Sequence, residues 1–166
     1  KSKRVVLYDT LIEQLTTDEI EAVLGHELGH YKHHHILKKM LFMIPAVFAA
    51  LFVISLLVKL PALYTGFGFI IEETVPYQMM FIGVFLMSLV FGEWASVFSP
   101  ILNFLSRRDE FQADAFAKNI CGTGEPLCTA LIKLNKENLS EIQVPKIYSV
   151  FNYNHPPLLE RISALR

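Results

Sequence analysis

The sequence predicts a mainly α, membrane-embedded fold, and three observations carry that prediction. Of the 166 residues 52% are apolar and only 19% charged, a balance more apolar than that of an ordinary soluble domain. Two uncharged runs, 40–58 and 75–92, the second resuming after Glu93 through Trp94 to Leu105, are long enough to cross a hydrocarbon core of roughly 30 Å as helices. The polar segments beside them keep the three- and four-residue apolar spacing of helices.

Taken in order, Arg4–Tyr8 ("RVVLY") is β-branched and aromatic and reads as a short edge strand ended by Asp9-Thr10. Thr16 opens "TTDE", where its hydroxyl can cap a helix while Glu19 reaches back to the capping amide. The helix then starts near Thr17, and Ile20, Val23, Leu24, Leu28 and Tyr31 form its expected apolar stripe. The first span closes at Lys59 and Pro61, and the second spans with tilt or a kink near Pro100. Apolar residues gain about 0.3 to 0.6 kcal/mol each on insertion, so the first run favours a bilayer over a soluble core by several kcal/mol.

Lys32, Lys38 and Lys39 precede the first span and Arg107 and Arg108 follow the second, while the connection holds Lys59 against Glu72 and Glu73. Basic flanks stay on the cytoplasmic side, so the spans form a hairpin that returns the chain to the side on which it left. The expected division is 1–39, edge strand and first helix; 40–105, transmembrane hairpin; 106–166, a helical C-terminal region. Glu93, an ionisable group between apolar stretches, is a functional candidate with no nameable partner.

A formal charge of −1 without a basic, aromatic-interleaved face leaves nucleic-acid binding without an electrostatic footprint. Cys121 and Cys128, in "CGTGEPLC", match neither a CxxC pair nor a Cys-rich zinc site and are expected as free thiols. The opening Lys1-Ser2-Lys3, with no initiator Met and no signal-peptide pattern, reads as an excerpt of a longer protein.

The chemistry concentrates in His26-Glu27-Leu28-Gly29-His30. Two histidines four apart on a helix project from one face, one turn apart, and can meet a single Zn²⁺ at about 2.0–2.1 Å. Glu27 points about a quarter turn away, which suits a general base acting on water activated by the metal. A catalytic zinc needs a third protein ligand. Continuing along the same helix would require Gly at 33 and His at 36, where His33 and Ile36 stand, so the ligand must come from another segment. Glu110 in "SRRDEFQADAFA" is the best offer, because the hairpin brings that segment back. Asp114, one turn on, is placed to accept from the far nitrogen of a ligating histidine; the alternative for both acids is an ordinary helix edge paired with Arg107 and Arg108.

His33, His34 and His35 are assigned no ligand role, with His34, one turn past His30, the nearest to earning one. In "YNHPPLLERISAL" His155 precedes two prolines compatible with a helix start, and Arg161 follows. A histidine there can donate to a developing oxyanion and an arginine can orient a carbonyl or carboxylate; a histidine that only caps the helix is the competing reading.

"RVVLYDTL", "VLGHELGHYKHHH", "LSRRDEFQADAFA", "ALIKLNKENL" and "HPPLLERI", in that order, resemble the type I CAAX prenyl proteases, integral-membrane zinc metalloproteases of the gluzincin type. The resemblance covers essentially the whole chain and would make it the C-terminal portion. It implies one Zn²⁺ per chain held by His26, His30 and Glu110, with Glu27 as catalytic base and Asp114 behind a ligand. It also implies His155 and Arg161 facing the active site, and Val5, Val6 and Leu7 as the edge to which an extended substrate adds by backbone pairing. Implied partners are a peptide or protein substrate, prenylated or not, the bilayer, and the preceding helices of the same protein. Tyr31 departs from the pattern, since some relatives carry Trp there. Two rivals remain at this point: a quality-control membrane protease of the heat-shock type using the same catalyst, and a non-catalytic scaffold in which zinc staples two helices.

Overall fold

The computed structural model describes residues 9–71, 74–137 and 144–166, and among them every regular element is a helix. The expected strand at 4–8 lies outside the described residues. The helices are α1 (Asp9–Gln14), α2 (Thr17–Lys32), α3 (His35–Leu57), α4 (Pro61–Gly66), α5 (Met80–Cys121), α6 (Glu125–Glu137), α7 (Lys146–Asn152) and α8 (Leu158–Leu165), with a 3₁₀ turn at Tyr77–Met79. They divide into two compact units, Lys1–Ile36 with Pro100–Arg166, and Leu37–Ser99.

In the first unit, α2 begins where the capping box lies. The Thr16 amide donates to Glu19 Oε2 at 2.8 Å, and the Glu19 amide donates to Thr16 Oγ1 at 3.4 Å. Glu19 is buried and also receives Lys133 Nζ from α6 at 2.7 Å, which ties the start of α2 to α6. Burial alone would raise the Glu19 carboxyl, but the Lys133 hydrogen bond, the Thr16 amide, Thr129 and the Lys133 charge together hold it down at about 2.

The expected stripe on α2 is buried only in part: Ile20, Val23 and Leu24 are half-buried, Val23 against the core. Leu28 and Tyr31 are 45% and 53% exposed, whereas Ala22, Gly25 and Gly29 are buried. The physical reason is the close approach of α5. A Cβ added at Gly29 would lie 2.9 Å from Ala113 Cα and 3.1 Å from its carbonyl oxygen, and one at Gly25 would lie 3.3 Å from Ala117 Cα. Small residues win that face because only they let two helix backbones come so near.

Ala22, Ala117, Leu127, Cys128 and Leu165 form the adjoining core, with Val23, Cys121, Leu131 and Ile162 packed around it. Burying Leu127 and Leu165 contributes about 1.5–3 kcal/mol each. Cys121 and Cys128 are free thiols. Gly122, at φ 73°, takes the left-handed position that follows α5. Asn103 Nδ2 donates to the carbonyls of Val150 (3.2 Å) and Phe151 (2.8 Å), fixing the end of α7 against α5.

The second unit holds most of α3, α4 and the start of α5. Tyr64 is fully buried, and its hydroxyl donates to the carbonyls of Val58 (2.8 Å) and Met79 (3.3 Å); Gly83 leaves the space it occupies. Helix α3 is long and apolar enough to cross a membrane, and its most apolar window has no buried residue. Most of its apolar side chains, Phe42, Phe48 and Phe52 among them, are exposed. A second stretch meets the same test only as a bent pair, Tyr77–Gly92 with Ser96–Cys121, so the break precedes Pro100, where the sequence suggested a kink; Pro100 itself sits inside α5.

Candidate metal centre

Helix α2 carries His26 and His30 on the turn next to Gly29, and α5 carries Glu110 and Asp114 one turn apart beside Ala113. The glycine contact therefore sets the distance between the two sets of side chains. His26, His30 and Glu110 each offer a ligand atom within 4.8 Å of the others. His26 Nε2 is 3.2 Å from His30 Nε2 and 3.6 Å from Glu110 Oε2, and His30 Nε2 is 3.3 Å from Glu110 Oε1. Two nitrogens bound to one tetrahedral zinc at about 2.05 Å stand about 3.3 Å apart, so the donor set fits that ion in type and separation.

The far nitrogens are engaged. His26 Nδ1 lies 2.8 Å from Asp114 Oδ1. Asp114, also buried, receives Arg161 Nε at 2.8 Å on Oδ2 and Arg161 Nη2 at 2.6 Å on Oδ1. Arg161 belongs to α8, so one carboxylate joins α2, α5 and α8. The guanidinium is thus committed to Asp114, with its Nη1 3.9 Å from Glu110 Oε2. His155 reaches the same cluster from the Pro156-Pro157 turn, its Nδ1 3.2 Å from Glu110 Oε2, while its ring remains largely exposed. Glu27 is exposed on α2. Val5, Val6 and Leu7, and the side chain of Glu93, lie outside the described residues.

Burial, with the neighbouring His26 next in weight, lowers the pKa of His30 against the pull of Glu110; this favours the neutral ring that a metal requires. One further side chain joins the cluster. His35 is 1% exposed, with Nδ1 3.0 Å from His30 Nδ1 and Nε2 3.1 Å from Gln112 Oε1. The sequence gives none of His33, His34 and His35 a ligand role and singles out His34 as nearest to one, yet His34 is exposed and sits at φ 54°. The signal was weak, since in an unbroken helix a residue five positions after His30 faces about 140° away.

A helical scaffold presenting two histidines, an acid from a distant helix and a carboxylate behind one imidazole defines a metallopeptidase-like centre. Peptidase family M48 matches residues 1–166, and the chain belongs to that family. It is similar to CAAX prenyl protease 1 homolog of Oryza sativa subsp. japonica, 42% identical over 99% of this chain and 37% of the relative. CAAX prenyl protease 1 of Saccharomyces cerevisiae is 35% identical over 99% and 38%, and the Homo sapiens homolog 34% identical over 100% and 42%. Among solved structures, S. mikatae Ste24p superposes with a TM-score of 0.82 at 35% identity, covering all of this chain and 39% of that one. The chain spans about two fifths of the length of the relatives it matches.

Proposed function

We propose that this chain carries the catalytic centre of an integral-membrane zinc endopeptidase that processes the C-terminal region of prenylated, CAAX-type proteins. The observation that carries the reading is the convergence of His26, His30 and Glu110, with Asp114 at 2.8 Å behind His26. In this reading His26, His30 and Glu110 hold one Zn²⁺. When bound, zinc supplies Lewis-acid polarisation of the scissile carbonyl and makes water acidic enough to ionise near neutral pH. Glu27 takes the proton from water as it attacks the carbonyl and returns it to the leaving amine, so that one amide and one water become an acid and an amine. His155, exposed at the rim beside Glu110, donates to the oxygen on which negative charge collects. Arg161 keeps Asp114 turned toward His26 and supports the site from behind.

The substrate class is supported by the similarity to the CAAX prenyl proteases of Oryza sativa, Saccharomyces cerevisiae and Homo sapiens, and the extended edge at Val5, Val6 and Leu7 by the family resemblance alone. Exposed α3, with Lys32 ahead of it and Lys38 and Lys39 near its N-terminal end, supports a multi-pass protein with this site on the cytoplasmic side, completed by the preceding membrane helices. Full-length Glu27→Gln should keep a full equivalent of zinc and lose turnover of a farnesylated CAAX peptide. Wild-type cleavage by that variant overturns the mechanism. Equal cleavage of the unlipidated twin peptide by the wild type transfers the reading to general membrane-protein quality control.

A further inference from the structure

We infer that His35 is a positioning residue for the metal centre, fixing the tautomer of His30 through a relay that ends on Gln112. The inference rests on the proposed metal-binding role of His26, His30 and Glu110.

The relay begins with a break in the helix. His33 ends α2 with φ −82° and ψ 0°, His34 takes a left-handed φ of 54°, and α3 restarts at His35. That turn swings the His35 ring back over His30, with ring centroids 5.0 Å apart and edge to face at 80°. His33 stacks on His35 at 5.5 Å and 13°. At 1% exposure, the His35 ring is closed off from solvent.

Its hydrogen bonds have one consistent direction. His35 Nε2 faces two oxygens, Gln112 Oε1 at 3.1 Å and Asp109 Oδ1 at 3.7 Å. An amide oxygen and a carboxylate can only accept, so Nε2 holds the ring proton. In the neutral form of the ring that proton is the only one, which leaves a lone pair on His35 Nδ1. His30 Nδ1, 3.0 Å away, must then be the donor. His30 Nε2 consequently presents a lone pair toward His26 Nε2 and Glu110, which is the form that binds a metal. The two histidines of the motif are thus oriented by different means: His26 by a carboxylate that Arg161 clamps, His30 by a neutral ring relay. Reversing the relay would place a proton on His30 Nε2 and block ligation.

The test is zinc affinity of the full-length protein, measured by chelator competition with Zn²⁺ alone. His35→Phe keeps a ring and removes both nitrogens; affinity should fall about ten- to a hundred-fold, as for other groups that orient a ligand from behind. His35→Asn returns an acceptor close to the Nδ1 position and should recover most of that loss, which a packing role would not do. Gln112→Glu, acceptor for acceptor, should stay within about threefold of wild type, and Gln112→Met should lose several-fold. Wild-type affinity in His35→Phe, or His35→Asn no better than His35→Phe, overturns the inference. If His35→Phe does not fold, wild-type affinity in Gln112→Met overturns it instead. Glu110→Ala separates the two levels: loss of zinc there with none in His35→Phe rejects the relay alone, whereas tight zinc in Glu110→Ala rejects the metal reading and the relay with it.

Discussion

Gly29 of α2 lies against the backbone of Ala113 of α5 so closely that a methyl group on Gly29 would sit 2.9 Å from Ala113 Cα. The neighbours of these residues are His30 on one helix and Asp114 on the other, so the contact that excludes a side chain also sets the span between the proposed ligands of α2 and α5.

Gly29→Ala should therefore push α2 from α5 and weaken zinc binding. The gain in helix propensity, about 0.5–1 kcal/mol, is smaller than the roughly 1–3 kcal/mol typical of overpacking. Gly25→Ala meets Ala117 at the milder 3.3 Å and should stay within about 1 kcal/mol of wild type. Thermal unfolding with zinc content measured on the same samples checks both; equal behaviour of the two variants would show that the close approach is unimportant.

The proposed ligand and the acid behind it should separate by magnitude. Glu110→Ala removes a donor and should abolish tight zinc binding. Asp114→Asn leaves three donors and should lower affinity about ten- to a hundred-fold. The comparison requires metal analysis after dialysis at graded free zinc, and an Asp114→Asn loss as large as that of Glu110→Ala would exchange their roles.

The Glu19 capping box predicts an acid-sensitive step in stability. Its carboxyl sits at about 2, against an ordinary 4.5. A depressed folded value adds stability that is fully present above the unfolded value and is lost as pH falls from about 4.5 toward 2. Glu19→Gln should thus be less stable than wild type at neutral pH, by about 1 kcal/mol or more if the cap is lost with the Lys133 pair. The gap should close on acidification. Melting temperatures of both proteins across pH 2–7 give the answer, and a gap independent of pH would contradict the assignment.

His34 supplies the left-handed residue between α2 and α3. His34→Gly should leave stability unchanged or raise it by up to about 1 kcal/mol. His34→Ile should cost about 1–3 kcal/mol, because a β-branched residue resists that conformation. Denaturant midpoints of the two variants settle the sign, and a tolerated isoleucine would mean that the turn is not held at positive φ.

Much of this arrangement is legible in the chain. Thr16 and Glu19 announce the start of α2 because a capping box is a local device, complete within four residues. His26 and His30 share a face because helical period alone decides it. Glu110 could be singled out as a candidate because the His26–His30 motif lacks a histidine at position 36, so a third donor was to be sought in another segment.

What the sequence could not decide was which faces meet and what stands behind each ligand. Leucine and tyrosine at positions 28 and 31 outweigh glycine in any count of apolar periodicity, yet the glycines are buried, because backbone proximity between two particular helices is a property of the packed pair. The commitment of Arg161 to Asp114 across 47 residues depends on where α8 comes to rest. The selection of His35 over His34 depends on a single left-handed residue that turns one ring inward and its neighbour out. Local rules determine where elements begin and what they carry; long-range packing decides which of those groups touch, since contact energies between distant segments exist only once both have been brought together.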